Sequence, residues 1–546
     1  MTGFMRVGLL FAVVFSALTI SADNKPDPTV LLITDESLAE AWQPFANFKT
    51  RIGLPTEIVT VQAIGQAYAG KDIQAKIRAC VLDYIESKQT RYIILGGDST
   101  SGETPTAVRR AGGVPGNPNE GGGLVPDRDT PHRPHARLAY RDIPTDLYYL
   151  SPGENDWDAN GDGIYGDWAK DMDAVAYTHP SGASLGRIPV RTVDDVAAYT
   201  DKVIAYETRY PGGDFASTIL YTNTVDHSEP KVRKSWDTHL SKVWEGGKAL
   251  RFFHTETDWD GDQRGDFSLR TDNWVERLNA KAAGKMHMHG HGMPGYWVLE
   301  DDGGHTKCDA RIVEKLTNED AYLVMTTVSC FTGMFDSKFD PTITESMLRT
   351  PNKGAVVIVA PSREGVPIFH NPRVDFPLMV NEGKLDGTTE SMTRFWMNGL
   401  SPREDGTYRT IGEAFVVMKE QMAEHARKTA GYHWCQCELN LLGDPTLSFR
   451  ASAPIDPEAA LVSLSEMRQG GSHSLTVDIE SSLRGAHGAR LTVWQKGGGY
   501  AVVPIDTKGN AQAVIDIKGK GTVWYTVAGP TVNAVMQSVS RQQPLE

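Results

Sequence analysis

The sequence predicts an α/β protein with a mainly parallel sheet covered by helices on both faces, followed by an all-β domain. Short apolar runs typical of buried strands alternate with amphipathic runs typical of helices up to about residue 450. After that point the apolar residues recur with a period of two. The 546 residues, 40% of them hydrophobic, also exceed what a single core of ~250–300 residues accommodates.

Seven apolar runs have the length and composition of buried strands. They are Val30–Ile33, Glu57–Val61, Tyr92–Leu95, Ser217–Tyr221, Lys285–Gly290, Tyr322–Val328 and Ala355–Ala360. The predicted helices between them are Leu38–Lys49, Asp72–Ser87, Val193–Tyr206, Val232–Trp244 and Asp309–Leu316. In such sheets the ligand site lies outside the carboxyl ends of the strands, so we look for functional residues there.

Residues 1–22 have the features of a cleaved secretory signal. Arg6 precedes an apolar run from Val7 to Ile20, and two small residues, Ser21 and Ala22, close the segment. No later run approaches the ~20 apolar residues that a membrane-spanning helix needs. We therefore expect a soluble, secreted mature protein, extracellular or in the cell envelope, without a membrane span.

Two further segments mark the domain organisation. Residues 99–142 are rich in Gly, Pro and Arg without periodicity, which predicts a flexible loop inside a domain covering residues 23–450. Residues 451–457 form the predicted linker, and residues 458–546 contain alternating segments such as that around Val477. Their number and length are typical of an immunoglobulin-like β-sandwich.

The net charge limits the expected binding partners, and the cysteine count limits the expected disulfide bonds. The formal net charge of −14 argues against nucleic acid or an anionic membrane as a partner and suits a calcium-binding exported protein. Five cysteines are too few and too scattered for a disulfide framework, and their odd number leaves at least one thiol free. They are Cys80, Cys308, Cys330, Cys435 and Cys437.

The stretch HMHGHGMPGYW, residues 287–297, carries three histidines at alternate positions near a predicted strand end. Because side chains alternate along a strand, His287, His289 and His291 would share one face. Three imidazoles on one face could hold zinc, but the acid that would complete a familiar zinc pattern is missing, since Met293 follows Gly292. A zinc site, a polar strand end and a catalytic histidine all remain open on spacing alone.

A second predicted strand, Tyr322–Val328, delivers Cys330 at its carboxyl end. Between His291 and Cys330 lie a loop, a predicted helix and this strand, which is the content of one parallel crossover. Both side chains can therefore emerge at the same edge of the sheet, where an imidazole can serve a thiol nucleophile. The alternative is that Cys330 is a buried small hydrophobe, the commoner fate of a lone cysteine.

The order of these motifs resembles the gingipain family of cysteine peptidases, in the caspase-like clan. The likeness runs from about Val30 to Phe449 and rests on WVERLNAKAAGKMHMHGHGMPGYW, TTVSCFTG, NLLGDPTL, DANGDGIYGD and LGRIPVRTVDDVAAYTDKVIAYE. It implies a caspase-like α/β fold, endopeptidase activity and an immunoglobulin-like domain behind the peptidase domain. Because the likeness begins soon after the predicted signal, we expect the long propeptide of gingipains to be missing.

The resemblance also assigns roles to individual residues. The Gly-His-Gly of the family falls on residues 290–292, which selects His291 rather than His289 as the catalytic histidine, with Cys330 as the nucleophile. The backbone N–H groups of Gly292 and Cys330 resemble the oxyanion site of the family. Gingipains place two acids eleven residues apart after an earlier strand, and Asp226 and Asp237 have this separation here. Asp226 would orient the imidazole, and Asp237 would bind a substrate Arg or Lys unless it is only a solvated helix position.

A calcium loop is predicted upstream of these residues. Asp158, Asn160 and Asp162 offer oxygen atoms at alternate positions, a glycine allows the sharp turn, and Ile164 offers its carbonyl. Ala169 stands where such loops carry a bidentate Glu, so Asp167 is the predicted source of the missing carboxylate. The alternative is a solvated turn, and we expect no organic cofactor.

These inferences predict a secreted, calcium-stabilised cysteine endopeptidase. It would hydrolyse protein or peptide substrates through Cys330 and His291, after a basic residue. Two other functions stay open: a zinc hydrolase using His287, His289 and His291, or a non-catalytic exported binding protein built on a peptidase scaffold.

Overall fold

The computed structural model describes most of the chain after the first 25 residues. The described residues are 26–99, 108–111, 125–126, 134–135, 143–153, 156–168, 170–223, 238–253, 265–301, 304–337, 340–365, 387–428, 430–455, 461–469, 472–480, 483, 485–519 and 521–540. The predicted signal and most of the predicted flexible loop at 99–142 lie outside these ranges.

The region up to residue 450 contains the strands that build the main sheet and three small sheets. In chain order they are β1 (Val30–Thr34), β2 (Thr56–Thr60), β3 (Tyr92–Gly96), β4 (Arg109–Ala111), β5 (Val125–Pro126), β6 (Pro134–His135), β7 (Ile143–Thr145), β8 (Ser184–Ile188), β9 (Thr218–Asn223), β10 (Lys248–Phe253), β11 (Phe267–Ser268), β12 (Lys285–His289), β13 (Gly292–Met293), β14 (Tyr296–Asp301), β15 (Gly304–Asp309), β16 (Leu323–Thr327), β17 (Ala355–Pro361) and β18 (Leu439–Gly443).

Ten α-helices lie wholly within the described ranges, together with 3₁₀ turns at Glu36–Leu38 and Leu147–Leu150, and residues 238–243, in the predicted helix Val232–Trp244, are also helical. The α-helices are α1 (Gln43–Arg51), α2 (Val61–Ala67), α3 (Ile73–Lys88), α4 (Val193–Thr208), α5 (Thr271–Asn279), α6 (Ala310–Glu314), α7 (Ile343–Arg349), α8 (Gly387–Leu400), α9 (Ile411–Lys428) and α10 (Ala430–Glu438).

The main sheet has the strand order β11-β10-β9-β12-β16-β17-β18-β8-β3-β1-β2. The pairs are parallel except that β18 runs antiparallel to β17, so the predicted mainly parallel sheet is confirmed. Each of the seven predicted strands coincides with a strand of this sheet to within two residues.

Helices cover both faces of the sheet because its strands are apolar on both sides. In β1, Val30 and Leu32 face one core, which includes residues of α1 and α4. Leu31 and Ile33 face the other core, to which α3 contributes. An all-apolar run of this kind is typical of parallel strands buried on both faces.

Four strands of the main sheet, β8, β10, β11 and β18, were missed by the sequence prediction, and in β8 a glycine and a charged residue interrupt the apolar pattern. In β8, Gly186 approaches β18 so closely that a Cβ there would lie 2.3 Å from the Gly443 carbonyl oxygen. The neighbouring Arg187 is fully buried and forms an ion pair with Asp146, with an Nη2–Oδ1 distance of 2.6 Å. Neither residue fits an apolar strand pattern, although both are inside the fold.

The predicted helix Leu38–Lys49 begins later than expected. A 3₁₀ turn occupies Glu36–Leu38, and α1 runs from Gln43 to Arg51, with proline in its first turn. Proline fits there because the first N–H groups of a helix have no intrahelical partner.

The carboxyl ends of several strands meet at one edge of the sheet. Strands β12, β16 and β17 are parallel neighbours. The Ser99 N–H, after β3, donates to the Phe335 carbonyl, after β16, at 3.3 Å. This is the edge where the functional residues were predicted.

The C-terminal strands form two antiparallel sheets around a separate apolar core. One sheet has the order β19-β20-β23 and the other β22-β21-β24-β25. The strands are β19 (Leu461–Gln469), β20 (Ser472–Glu480), β21 (Arg490–Gln495), β22 (Tyr500–Pro504), β23 (Ala511–Asp516), β24 (Thr522–Gly529) and β25 (Val532–Ser540). This arrangement agrees with the predicted β-sandwich.

The sandwich contacts the end of α1. The Arg51 guanidinium lies 5.1 Å from the ring centre of Trp494 and 5.4 Å from that of Trp524. Two backbone carbonyls beside it accept hydrogen bonds from the sandwich, including that of Ile52, which accepts from Arg490 Nε at 2.6 Å. Cation–π and hydrogen-bond contacts therefore join the two parts of the chain.

Candidate active site

His291 lies in the turn that follows β12. Strand β12 lies between β9 and β16 in the sheet and ends at His289. The His291 backbone carbonyl accepts a hydrogen bond from the Val298 N–H at 3.0 Å, which ties the turn to β14. The His291 side chain is half-buried, whereas His287 and His289 are buried in the strand. Of the three histidines, His291 is the one with access to the sheet edge.

His287 has the environment of a structural residue. Its Nδ1 lies 2.7 Å from Thr326 Oγ1, and its ring stacks on Tyr221 at 5.5 Å. Burial, with a smaller contribution from His289, holds the pKa of His287 well below its usual value, which favours the neutral ring.

The predicted sharing of one face by the three histidines rested on strand alternation that would continue through His291. The strand ends before His291, so alternation no longer governs its direction. Among the residues that the structure describes, no group of three His, Cys, Asp or Glu side chains could hold a metal ion. The zinc-hydrolase alternative therefore lacks its site.

Cys330 lies in a tightly held loop after β16. The Ser329 N–H donates to Thr327 Oγ1 at 3.1 Å, and Thr332 Oγ1 donates to the Ser329 carbonyl at 2.8 Å. Phe331 has a φ of 61°, a left-handed conformation that costs a bulky residue about 1–3 kcal/mol. The Phe331 N–H donates to the Arg363 carbonyl at 2.7 Å, so the surrounding chain holds this conformation.

Gly292 brings the histidine turn and the cysteine loop into direct contact. A Cβ built on Gly292 would lie 2.5 Å from Thr332 Cγ2, 2.8 Å from Ser329 Cβ and 3.0 Å from the Cys330 carbonyl oxygen. Only glycine allows the two backbones to approach this closely. The predicted convergence of the two segments at one sheet edge is thus observed.

The environment of Cys330 favours the protonated thiol. Burial, followed by the nearby carboxyl groups of Glu364 and Glu438, raises the pKa of Cys330 above its usual value. The Sγ atom lies 3.6 Å from the Gly365 carbonyl oxygen, to which it donates. A base must therefore remove the thiol proton before or during nucleophilic attack.

Two acids near Cys330 were missed in the sequence. Glu438, at the end of α10, is fully buried and accepts hydrogen bonds from Thr388 Oγ1 at 3.1 Å and Trp434 Nε1 at 3.2 Å. Burial raises the pKa of Glu438 well above its usual value, which favours the neutral acid. The surrounding sequence AGYHWCQCE matches no recognisable motif.

Glu364 lies just before Gly365, in the segment after β17. Its side chain is half-buried, and burial raises its pKa. Within the described ranges no Lys, Arg or His forms an ion pair with it. The signal that could have found it is its position four residues beyond the predicted strand Ala355–Ala360, which pairs with the strand that precedes Cys330.

The two remaining predicted acids cannot be located. Asp226 and Asp237 fall in residues 224–237, outside the described ranges. The described chain stops at Asn223, whose Cα is in register with that of His289. Their assigned roles stay predictions.

The predicted calcium loop has the expected turn geometry. The Asp162 N–H donates to Asn160 Oδ1 at 3.1 Å, and the Ile164 N–H donates to Asp162 Oδ1 at 2.9 Å. Gly161 and Gly163 have φ values of 74° and 81°, which favour glycine. The donor types and the turn fit the chemistry of a calcium loop.

Two lysines contact the carboxylates of this loop. Lys170 Nζ lies 2.8 Å from Asp162 Oδ2 and lowers the pKa of Asp162 to about 2. It also lies 3.8 Å from Asp167 Oδ2, and Lys71 Nζ lies 3.6 Å from Asp158 Oδ2. A cation shared by these carboxylates would have to displace the lysine ammonium groups.

Asp171 was missed as a member of the loop. Its buried carboxylate accepts from the Ala159 N–H and the Asp167 N–H, both at 2.9 Å. These bonds join the two ends of the loop. Burial raises the pKa of Asp171, and the nearby acids Asp158 and Asp162 raise it further.

All five cysteines carry free thiols, so Cys330 is available for chemistry. Cys435 and Cys437 lie two positions apart on α10 and do not bridge to each other. Helical positions two apart point in different directions.

Comparison with known protein families shows the family to which this chain belongs. The model of a family described as peptidase family C25 matches residues 23–450. The chain belongs to peptidase family C25. As a member of this family it is a cysteine peptidase, and its substrates are proteins or peptides.

Solved structures agree with this family assignment at the level of fold. The crystal structure of the Arg-specific cysteine proteinase gingipain R (RgpB) is 16% identical, with a TM-score of 0.62, over 95% of this chain and 99% of that one. A chain of the complex of the Porphyromonas gingivalis RgpB pro- and mature domains is also 16% identical, with a TM-score of 0.62, over 94% and 99%. The C25 chain thus has the predicted caspase-like fold of gingipains.

Two further comparisons complete the description. A search of curated protein sequences found no match. Among the helices that the structure describes, none combines the length and the apolar character needed to cross a membrane.

Proposed function

We propose that this C25 peptidase is an endopeptidase that uses Cys330 as nucleophile and His291 as acid and base. The observation that carries the proposal is the contact of Gly292 with the Cys330 loop, where a Cβ would lie 3.0 Å from the Cys330 carbonyl oxygen. It supports a shared cleft for the imidazole and the thiol. The half-buried exposure of both residues leaves them accessible to a substrate.

The proposed reaction follows from the protonated state of the thiol. His291 takes the proton from Sγ as sulfur attacks the scissile carbonyl carbon, and the oxyanion is bound by the N–H groups of Gly292 and Cys330. The imidazolium then gives its proton to the leaving amine, which leaves a thioester on Cys330. Water, deprotonated by His291, hydrolyses the thioester and regenerates the thiol. Asp226 is proposed to orient the imidazole.

A preference for a basic residue before the cleaved bond is part of the proposal. Glu364 lies beside Cys330, and within the described ranges no cationic side chain pairs with it. A substrate Arg or Lys would supply that cation and favour the charged carboxylate. Asp237 is proposed as a second acid of the same pocket, as the resemblance implied.

Calcium and export complete the proposal. Calcium would be held by Asp158, Asn160 and Asp162, the Ile164 carbonyl and Asp167, in exchange for the lysine contacts, and it would stabilise the loop. Residues 1–22 are proposed to direct export into a medium where calcium is plentiful.

A peptide-library digest tests the proposal. Wild-type protein with added calcium should cleave internal bonds after Arg or Lys, and Cys330→Ala and His291→Ala should each lose this activity. Cleavage that survives Cys330→Ala would exclude the thiol mechanism. If no peptide is cleaved by the wild type, a binding protein on a peptidase scaffold becomes the better account.

A further inference from the structure

A buried ion pair joins the nucleophile loop to the segment after β17. Arg363 Nη1 lies 2.9 Å from Asp336 Oδ1, and Arg363 Nη2 lies 2.9 Å from Asp336 Oδ2. The two side chains are 1% and 0% exposed. A planar guanidinium that binds both oxygens of one carboxylate fixes orientation as well as distance.

The backbone of the same segment holds the loop on either side of the sulfur. The Arg363 carbonyl accepts from the Phe331 N–H at 2.7 Å, and the Gly365 carbonyl accepts from Cys330 Sγ at 3.6 Å. Phe331 has the left-handed φ of 61° described above. Arg363 thus contacts the loop through its carbonyl next to Cys330 and through its side chain at Asp336.

Stability alone does not explain a charged pair at this place. Removing two charges from water is costly, and replacing both members of a buried pair by apolar residues often leaves stability unchanged or increased. In some proteins such pairs instead specify one arrangement of the chain. Here the arrangement that they specify is that of the loop carrying Cys330.

We propose that Arg363 and Asp336 are positioning residues that fix the sulfur of Cys330 relative to the imidazole of His291. The proposal rests on the proposed thiol mechanism. Neither side chain touches the substrate, and both act through the backbone of residues 330–336. Because a misplacement of about 1 Å at a reacting group can cost on the order of 100-fold in rate, a small shift of this loop should be visible in kcat.

The test compares two buried ion pairs. The double variant Arg363→Met with Asp336→Leu removes the proposed pair and leaves no unpaired charge. Its matched control is Lys49→Met with Asp444→Leu, which removes a pair with an Nζ–Oδ2 distance of 2.6 Å and fully buried side chains. Asp444 directly follows β18, and the last residue of β18, Gly443, is in register with Val357 near the start of β17. The control pair therefore lies away from the sheet edge that carries Cys330.

The readouts are kcat, KM, the rate of Cys330 alkylation as a function of pH, and the thermal midpoint. We expect the Arg363/Asp336 variant to lose about 30-fold or more in kcat, with KM within about threefold and a shifted alkylation profile. The Lys49/Asp444 variant should keep the wild-type kcat and profile, whatever its thermal midpoint. Equal kcat values in the two double variants would overturn the proposal.

A conservative variant decides the outcome if the double variant does not fold. Arg363→Lys keeps the charge but cannot bind both carboxylate oxygens in the same plane. A folded Arg363→Lys protein with about tenfold lower kcat supports positioning, and one with wild-type kcat overturns it. Failure of the thiol mechanism itself would appear separately, as wild-type activity that is unaffected by Cys330→Ala.

Discussion

Replacing Gly292 by Ala should separate the two reacting groups without changing either. The new Cβ would lie 2.5 Å from Thr332 Cγ2, about 1 Å less than the ~3.5 Å at which carbon atoms pack. Thr332 is fully buried and is tied to the Ser329 carbonyl at 2.8 Å, so the overlap is relieved mainly by moving one loop. A shift of about 1 Å predicts a loss on the order of 100-fold in kcat/KM.

The control lies at the other end of the same strand. A Cβ on Gly284, just before β12, would lie 2.8 Å from Phe215 Cε1, 2.9 Å from Phe215 Cζ and 3.0 Å from the Phe215 carbonyl oxygen. Overpacking of this kind costs about 1–3 kcal/mol of stability in both variants. Steady-state peptide hydrolysis and thermal unfolding should show similar destabilisation, with activity lost only in Gly292→Ala. Activity of Gly292→Ala within about threefold of the wild type would refute the reasoning.

Three further outcomes are expected. Glu364→Gln should speed alkylation of Cys330 near neutral pH, because the variant loses a carboxyl group that raises the thiol pKa, while the burial of the thiol remains. An unchanged alkylation rate would count against this electrostatic account. Burial lowers the pKa of Lys285 from 10.5 to about 7. Between pH 7 and pH 10.5 Lys285 is therefore protonated in the unfolded chain and largely deprotonated in the folded chain. Because the unfolded state binds more protons, the free energy of unfolding rises with pH in this window. Thermal unfolding of Lys285→Met should show a flatter rise across this window, and an identical slope would contradict the assignment. Calcium should raise the thermal midpoint of the wild type but not of Asp162→Asn, and equal shifts in both would place any bound calcium elsewhere.

The parts of the fold that followed from the sequence are those with local signals. The mainly apolar, β-branched runs of β1, β16 and β17 predicted buried strands. The order of His291 and Cys330 around one crossover then placed both at one sheet edge. Short-range periodicity predicts the strands, and the right-handed crossover rule predicts where the residues that follow them lie.

The parts that escaped prediction depend on contacts between distant residues. Arg187 and Glu438 can be buried because each forms a hydrogen bond with a residue far along the chain. The sequence next to them contains no sign of these partners. Strand β12 ends at His289, one residue before the predicted end at Gly290, and His291 lies in the turn beyond it. Asp336 and Arg363 are 27 residues apart, and only the folded sheet brings them together.

An active-site-directed trap tests the central claim most directly. A peptidyl acyloxymethyl ketone ending in Arg alkylates the nucleophile of a thiol peptidase, and mass spectrometry identifies the modified residue. The account predicts a single adduct on Cys330, formed rapidly by the wild type and much more slowly by His291→Ala. An adduct on another cysteine, or none while peptides are still cleaved, would contradict it.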